Sequence, residues 1–203
     1  MRALLVALLF AASCGHSAPD GDPGGATAKQ HDDMARKQAR FDADRHPEKV
    51  VAALGIGPGS VVADVGAGTG LLTVHLARAV QPGGRVVATD IDSAALDQLE
   101  ARLSWAGLDK LVERRVVVGE HPGLEPATYD AILLAEVDNY LGDEVAWLTE
   151  ATRALKPGGR LVISNVIGFR TQSMAAAARA PLALVAESTP VPSHFIAVYA
   201  AKK

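Results

Sequence analysis

Val61-Val62-Ala63-Asp64-Val65-Gly66-Ala67-Gly68-Thr69-Gly70 is the stretch on which the reading of this chain turns. A short β-branched run ends in an acid, and three alternating glycines then lead into a helix expected to start near Leu71. Glycine is needed where the backbone takes positive φ, or where it must touch a ligand with no Cβ in the way. A glycine turn between strand and helix also occurs for steric reasons alone. Three neighbours strengthen the binding reading. Asp64 stands two residues before the first glycine, Asp90 ends the next strand, and Gly119-Glu120 follows the third. An acid at the end of the second strand is where nucleotide folds hold ribose hydroxyls. A dinucleotide fingerprint would place its third glycine one residue later, at Leu71, so the spacing disfavours NAD.

Outward from this loop, short apolar runs alternate with helices. The runs are 61–65, 85–89, Val116-Val117-Val118, 131–134 and 160–163. They are continuous rather than alternating, as expected when both faces of a parallel sheet are covered. Leu72, Leu76 and Val80 share one helix face, and Leu96, Leu99 and Leu103 share another. Pro58-Gly59, Pro82-Gly83-Gly84 and Pro157-Gly158-Gly159 mark junctions into strands rather than an internal repeat. After the fifth run come a short Ala-rich helix, a strand at 182–186, a turn at 188–194 and a strand at 195–201. So short a connection requires an antiparallel pair. The expected fold is a three-layer α/β sandwich, Rossmann-like, with a seven-stranded, mostly parallel sheet whose last strand is reversed.

In this order, the motifs resemble class I S-adenosylmethionine-dependent methyltransferases over roughly residues 40–201. The resemblance rests on 64–70, Thr89-Asp90-Ile91-Asp92, Gly119-Glu120, Tyr129-Asp130-Ala131-Ile132-Leu133-Leu134 and Leu155-Lys156-Pro157-Gly158-Gly159-Arg160-Leu161. It implies S-adenosyl-L-methionine as cofactor, contacted by Asp64, Gly66, Ala67, Gly68, Gly70, Asp90, Ile91, Gly119 and Glu120. Asp64 would lie near the ammonium, Asp90 on the ribose hydroxyls, Ile91 on the adenine and Glu120 at its edge. Capping by Asp90 or Asp92 and a plain turn at Gly119-Glu120 are the structural alternatives.

Acceptor-side residues are expected after the fourth strand, at Glu136, Asp138, Asn139 and Tyr140. A carboxylate and a phenol there would orient or deprotonate a hydroxyl or amine. The Asn/Asp-Pro-Pro-aromatic tetrapeptide of aminomethyltransferases is absent, since the chain reads Ala135-Glu136-Val137-Asp138, and the acceptor class stays open. Packing and capping by Asp138 and Tyr140 is the competing reading. His46, His75, His121 and His194 lack metal-ligand spacing, so no metal is expected, and His75 and Arg78 are placed on a solvated helix face. Trp105 and Trp147 read as packing residues.

At the N-terminus, Met1-Arg2 precedes ten apolar residues, 3–12, and then Ser13-Cys14, the chain's one cysteine. Ten residues are too few for a membrane span of ~20 but suit a signal core. The segment resembles a bacterial lipoprotein leader, with Ala11 where a large aliphatic residue is usual. It implies a signal peptide at 1–13, lipidation of Cys14, a Gly/Pro-rich tether at 14–31 and a domain at 32–203 on the periplasmic face. A leader of this kind before this domain is similar to exported methyltransferase-like proteins of Gram-negative bacteria. An ordinary cleaved signal, or a start at Met34 with a cytoplasmic product, are the alternatives.

Composition narrows the partners. With 49% hydrophobic and 21% charged residues in 203, the chain buries a core. A net charge of −3 and 4% aromatics argue against nucleic-acid binding. The expected partners are a small-molecule or envelope substrate, with the membrane reached only through the N-terminal anchor. Three functions stay in view: an active methyltransferase, a non-catalytic adenosyl-cofactor-binding module and, less favoured, an NAD-linked oxidoreductase.

Overall fold

The computed structural model describes residues 23–202, so the leader, Cys14 and the first part of the tether lie outside the described residues. Helix α1 (Pro23–Arg45) is followed by α2 (Pro47–Leu54), β1 (Val61–Val65), α3 (Thr73–Ala79), β2 (Arg85–Asp90) and α4 (Ser93–Ala106). Then come β3 (Val112–Val116), β4 (Tyr129–Ala135), α5 (Glu144–Ala154), β5 (Leu155–Val166), α6 (Arg170–Arg179), β6 (Leu182–Val191) and β7 (His194–Ala201). Together the strands form one sheet in the order β3-β2-β1-β4-β5-β7-β6. All neighbouring pairs are parallel except those made by β7, which is antiparallel to both β5 and β6.

Alternate residues of the buried strands feed two cores. One face (Ala63, Val65, Ile132, Leu134, Leu161, Ile163) packs on Trp147 and Leu148 of α5 and Ala177 of α6. The other (Val62, Val86, Ala88, Leu133, Val162) packs on Leu54 of α2, Leu76 of α3 and Leu99 of α4. This double burial is why the strands read as unbroken apolar runs. Local signals set the helix ends. Asp92 caps α4 by accepting from the Ala94 N–H at 2.8 Å, and Asp143 caps α5 through Ala146 N–H at 2.9 Å.

Four boundaries differ from the sequence reading. Helix α1 begins at Pro23, inside the 14–31 stretch read as a tether, and its later turns dock on α3 through Asp42 and His75 and on α4 through Gln38 and Arg102. β3 ends at Val116, where the valine run begins; it is an edge strand with charged Glu113, Arg114 and Arg115, and such strands carry no continuous apolar signal. β5 starts at Leu155 rather than Arg160, with a register shift opposite Tyr129/Ala131 that absorbs the Pro-Gly-Gly junction. β6 runs on to Val191, through the segment read as a turn, since an edge strand tolerates exposed residues and Pro190.

Candidate active site

β1 lies between β2 and β4, so the chain connections leave the sheet in opposite directions on either side of it. The crevice beyond the carboxyl ends of these strands is the usual ligand position in such sheets. Two cavities open there and share Gly66. The larger, of about 430 Å³, is walled by Asp90, Ile91, Val118, Gly119, Glu120, Tyr140 and Trp147. The smaller, about 170 Å³, is lined by Phe41, Asp64, Gly66, Ala67, Gly68 and Glu136 among others.

The glycine loop hangs from the end of β2. The Gly66 and Ala67 N–H groups donate to Thr89 O at 2.8 and 3.0 Å. The Gly68 N–H donates to Asp90 Oδ2 at 2.7 Å, while Asp90 Oδ1 accepts from the Asp92 N–H at 2.9 Å. Asp90 therefore both braces the loop and faces the cleft, with lone pairs left over on each oxygen. Gly68 has φ +53° and nothing within 4 Å of where a Cβ would stand, so its missing side chain leaves the cavity open. Gly70 differs: a Cβ there would meet Leu99 of α4 at 2.7 Å, so it serves packing.

Asp64 is 1% exposed and accepts from Thr73 Oγ1 at 2.7 Å. Burial, reinforced by the nearby Asp90 carboxylate and only partly offset by that hydrogen bond, pushes its pKa up to about 6. A buried carboxyl with one partner is poised to receive a cation. Across the cleft, Ile91 is 69% exposed and Val118 is 66% exposed, an apolar slot with no protein side chain filling it. Val117 and Val118, read as strand, are thus cleft wall.

After β4 the expected acceptor residues part company. Glu136 faces the smaller cavity at φ +57°, a strained conformation for a non-glycine residue, and pairs with Arg45 of α1. Tyr140, 80% exposed, stands at the larger cavity's wall. Asp138 does neither. It is fully buried, accepting from Asn165 Nδ2 at 2.6 Å and from Ser173 Oγ, so it ties β5 and α6 together and is not an acceptor-side group. Asn139 serves the same polar knot through Asn165 Nδ2 at 2.8 Å. His75 is also reassigned: its Nε2 lies 2.8 Å from Asp42 Oδ1 under α1, not in solvent. Phe41, Arg45 and His194 reach this region from elements distant in sequence, and Thr73 from the first residue of α3; none of the four carries a local motif. Among the described residues no three His, Cys, Asp or Glu side chains are grouped to hold a metal ion.

Residues 63–161 match the family model of a methyltransferase domain. That stretch, just under half of the chain, is what the chain shares with the methyltransferase-domain family. A demethylmenaquinone methyltransferase of a Mycobacterium species is 38% identical over 114 residues, covering 55% of this chain and 44% of the relative. The ubiquinone/menaquinone biosynthesis C-methyltransferase UbiE of Hydrogenovibrio crunogenus is 33% identical over 109 residues, 54% of this chain and 43% of that protein. The chain therefore spans less than half the length of either methyltransferase. The crystal structure of a SAM dependent methyltransferase from Aquifex aeolicus matches with TM-score 0.72 at 22% identity, covering 79% of this chain and 92% of that one. At that identity the likeness is one of fold.

Proposed function

We propose that the protein transfers the methyl group of S-adenosyl-L-methionine to a small-molecule acceptor. The carrying observation is the pair of cavities meeting at Gly66, one apolar and bordered by Asp90, the other holding a buried carboxyl. An adenosine would fit the first, with its base between Ile91 and Val118, its edge at Gly119-Glu120 and its ribose hydroxyls donating to Asp90. A methionine moiety would fit the second, along Gly66, Ala67 and Gly68, with its ammonium toward Asp64. The space that a Cβ on Gly68 would take is the observation that speaks for a ligand lying against the backbone. Bound so, the sulfonium supplies an activated methyl group for in-line displacement. The chain's own contribution is to align donor and acceptor and to exclude water.

The two curated relatives are named for quinone methylation, which supports a small aromatic acceptor over a macromolecule. Isothermal titration with S-adenosylmethionine, S-adenosylhomocysteine and NAD tests the reading. One-site binding of the first two and none of NAD is expected; no binding of either adenosyl compound overturns it.

We also propose that Cys14 is lipidated and that the domain is held at the periplasmic face of a bacterial membrane. The support is the leader's composition alone: a short apolar core, small residues before the cysteine and no second cysteine to pair with.

A further inference from the structure

A third cavity, of about 190 Å³, lies outside the cleft, among α1, α3 and α4, and shares no lining residue with the two cavities there. Two arginines border it, Arg78 of α3 and Arg102 of α4. Met34 of α1, Val74 of α3 and Trp105 of α4 supply its apolar wall. Trp105 reads from the sequence as a packing residue, yet it is 41% exposed, and its indole meets the His31 ring edge to face with centroids 5.3 Å apart.

Arg102 is buried in an unusual way. A charge taken this far out of water is ordinarily paired with an opposite one. Here every hydrogen-bond partner among the described residues is neutral: Nε donates to Thr69 O at 2.8 Å, and Nη1 donates to Gln38 Oε1 at 3.1 Å and Met34 O at 3.5 Å. Burial lowers the guanidinium's pKa, opposed by the field of the Asp42 carboxylate. That carboxylate is already engaged, 2.8 Å from both Gln38 Nε2 and His75 Nε2. The remaining nitrogen, Nη2, has no partner among the described residues and is not sealed from solvent. Arg78, on the neighbouring helix, is exposed and makes no ion pair among the described residues. No Asp or Glu lines the cavity. Two cations thus border one small space without an anion between them.

The planar guanidinium fork matches the two oxygens of a carboxylate. Thr69 O and Gln38 Oε1 already fix the Arg102 head group, so little of its freedom remains to be lost on binding. Beside it, an indole face and a thioether suit an apolar body and offer nothing to a fully hydrated anion.

We propose that this cavity binds a small carboxylate carried on an apolar body, with its oxygens on Arg102 and Arg78 and its body against Trp105. The inference does not depend on the methyl-transfer reading, because no cleft residue lines the cavity.

Calorimetric titration of the purified protein with sodium benzoate, benzyl alcohol and inorganic phosphate tests it. Proton NMR follows the indole N–H signals of the chain's two tryptophans, Trp105 and Trp147, assigned through Trp105→Phe. Saturable one-site binding of benzoate is expected, with the Trp105 signal shifted and weaker or no binding of the other two probes. Arg78→Met removes one charge-assisted contact and should weaken benzoate by about tenfold. Arg78 is exposed and unpaired among the described residues, so that variant should melt at the wild-type temperature and its result reports on binding alone. Absence of saturable benzoate binding, benzyl alcohol or phosphate binding as tightly as benzoate, a shift confined to Trp147, or wild-type benzoate affinity in Arg78→Met each overturns the proposal.

Discussion

At the scale of single residues, Asp64 sets stability against binding. Its folded pKa of about 6 lies above the ordinary 3.8, so the native state holds a proton that the unfolded chain releases. The stability this group contributes is full below 3.8 and is lost as pH rises from there through about 6. At neutral pH the unliganded protein carries a buried, ionised carboxylate satisfied by Thr73 alone. Asp64→Asn should therefore raise the melting temperature of the unliganded protein at pH 7 by a few degrees and leave it nearly unchanged at pH 4. The proposed ammonium contact reverses the balance: S-adenosylmethionine affinity should climb as pH rises through about 6, and Asp64→Asn should be weaker and flat with pH. Melting curves and calorimetry across pH 4–8 check both halves. A variant that binds as well as wild type would remove Asp64 from the ammonium site.

Among the elements, α1 matters most for the site, and its sequence advertises this least. The helix is polar on most faces, yet it is sewn to the glycine loop by a hydrogen-bonded seam. Gln38 Nε2 donates to Leu71 O at 3.1 Å and Asp42 Oδ1 reaches His75 Nε2 at 2.8 Å. Arg102 of α4, 7% exposed, is the centre of the seam. Its Nε donates to Thr69 O at 2.8 Å and its Nη1 to Gln38 Oε1 at 3.1 Å. Loop and helix share this one guanidinium, so disturbing it should loosen both. Arg102→Met keeps the volume but strands those acceptors, at a cost of ~1–3 kcal/mol for buried groups. Faster amide exchange over residues 34–45 and weaker S-adenosylhomocysteine binding should appear together. Exchange unchanged beside weakened binding would show that the helix and the loop are not coupled.

For the whole molecule, the domain ends in an N-terminal helix beyond which the proposed anchor lies. Cys14→Ser should move the protein out of the membrane fraction or leave an uncleaved precursor, and intact-mass measurement of wild type should show an acylated Cys14. Acyl chains contribute ~0.8 kcal/mol per buried methylene, so a doubly or triply acylated end would hold firmly. An unmodified protein beginning at Met1 or Met34 would end the anchor proposal. The sequence by itself determined the order of strands and helices, the reversed β7 and the glycine loop with Asp90. These are local properties: apolar runs, Pro-Gly junctions and a connection too short for a crossover are written in neighbouring residues. The end of β4 is likewise fixed by chain order, and the residues after it, Glu136 and Tyr140, line the two cavities. What only the tertiary structure decided is which side chains meet. Asp138 and Glu136 lie two residues apart, yet one is buried in a knot with Asn165 and Ser173 and the other faces the cavity. That divergence comes from the positive φ at Glu136, which no pattern of residue types reveals. Arg45 and His194 reach the same carboxylate from opposite ends of the domain, and their convergence depends on the register of β5 with β7 and on the docking of α1. Long-range contacts of this kind are set by packing the whole sheet, so no window of sequence contains them.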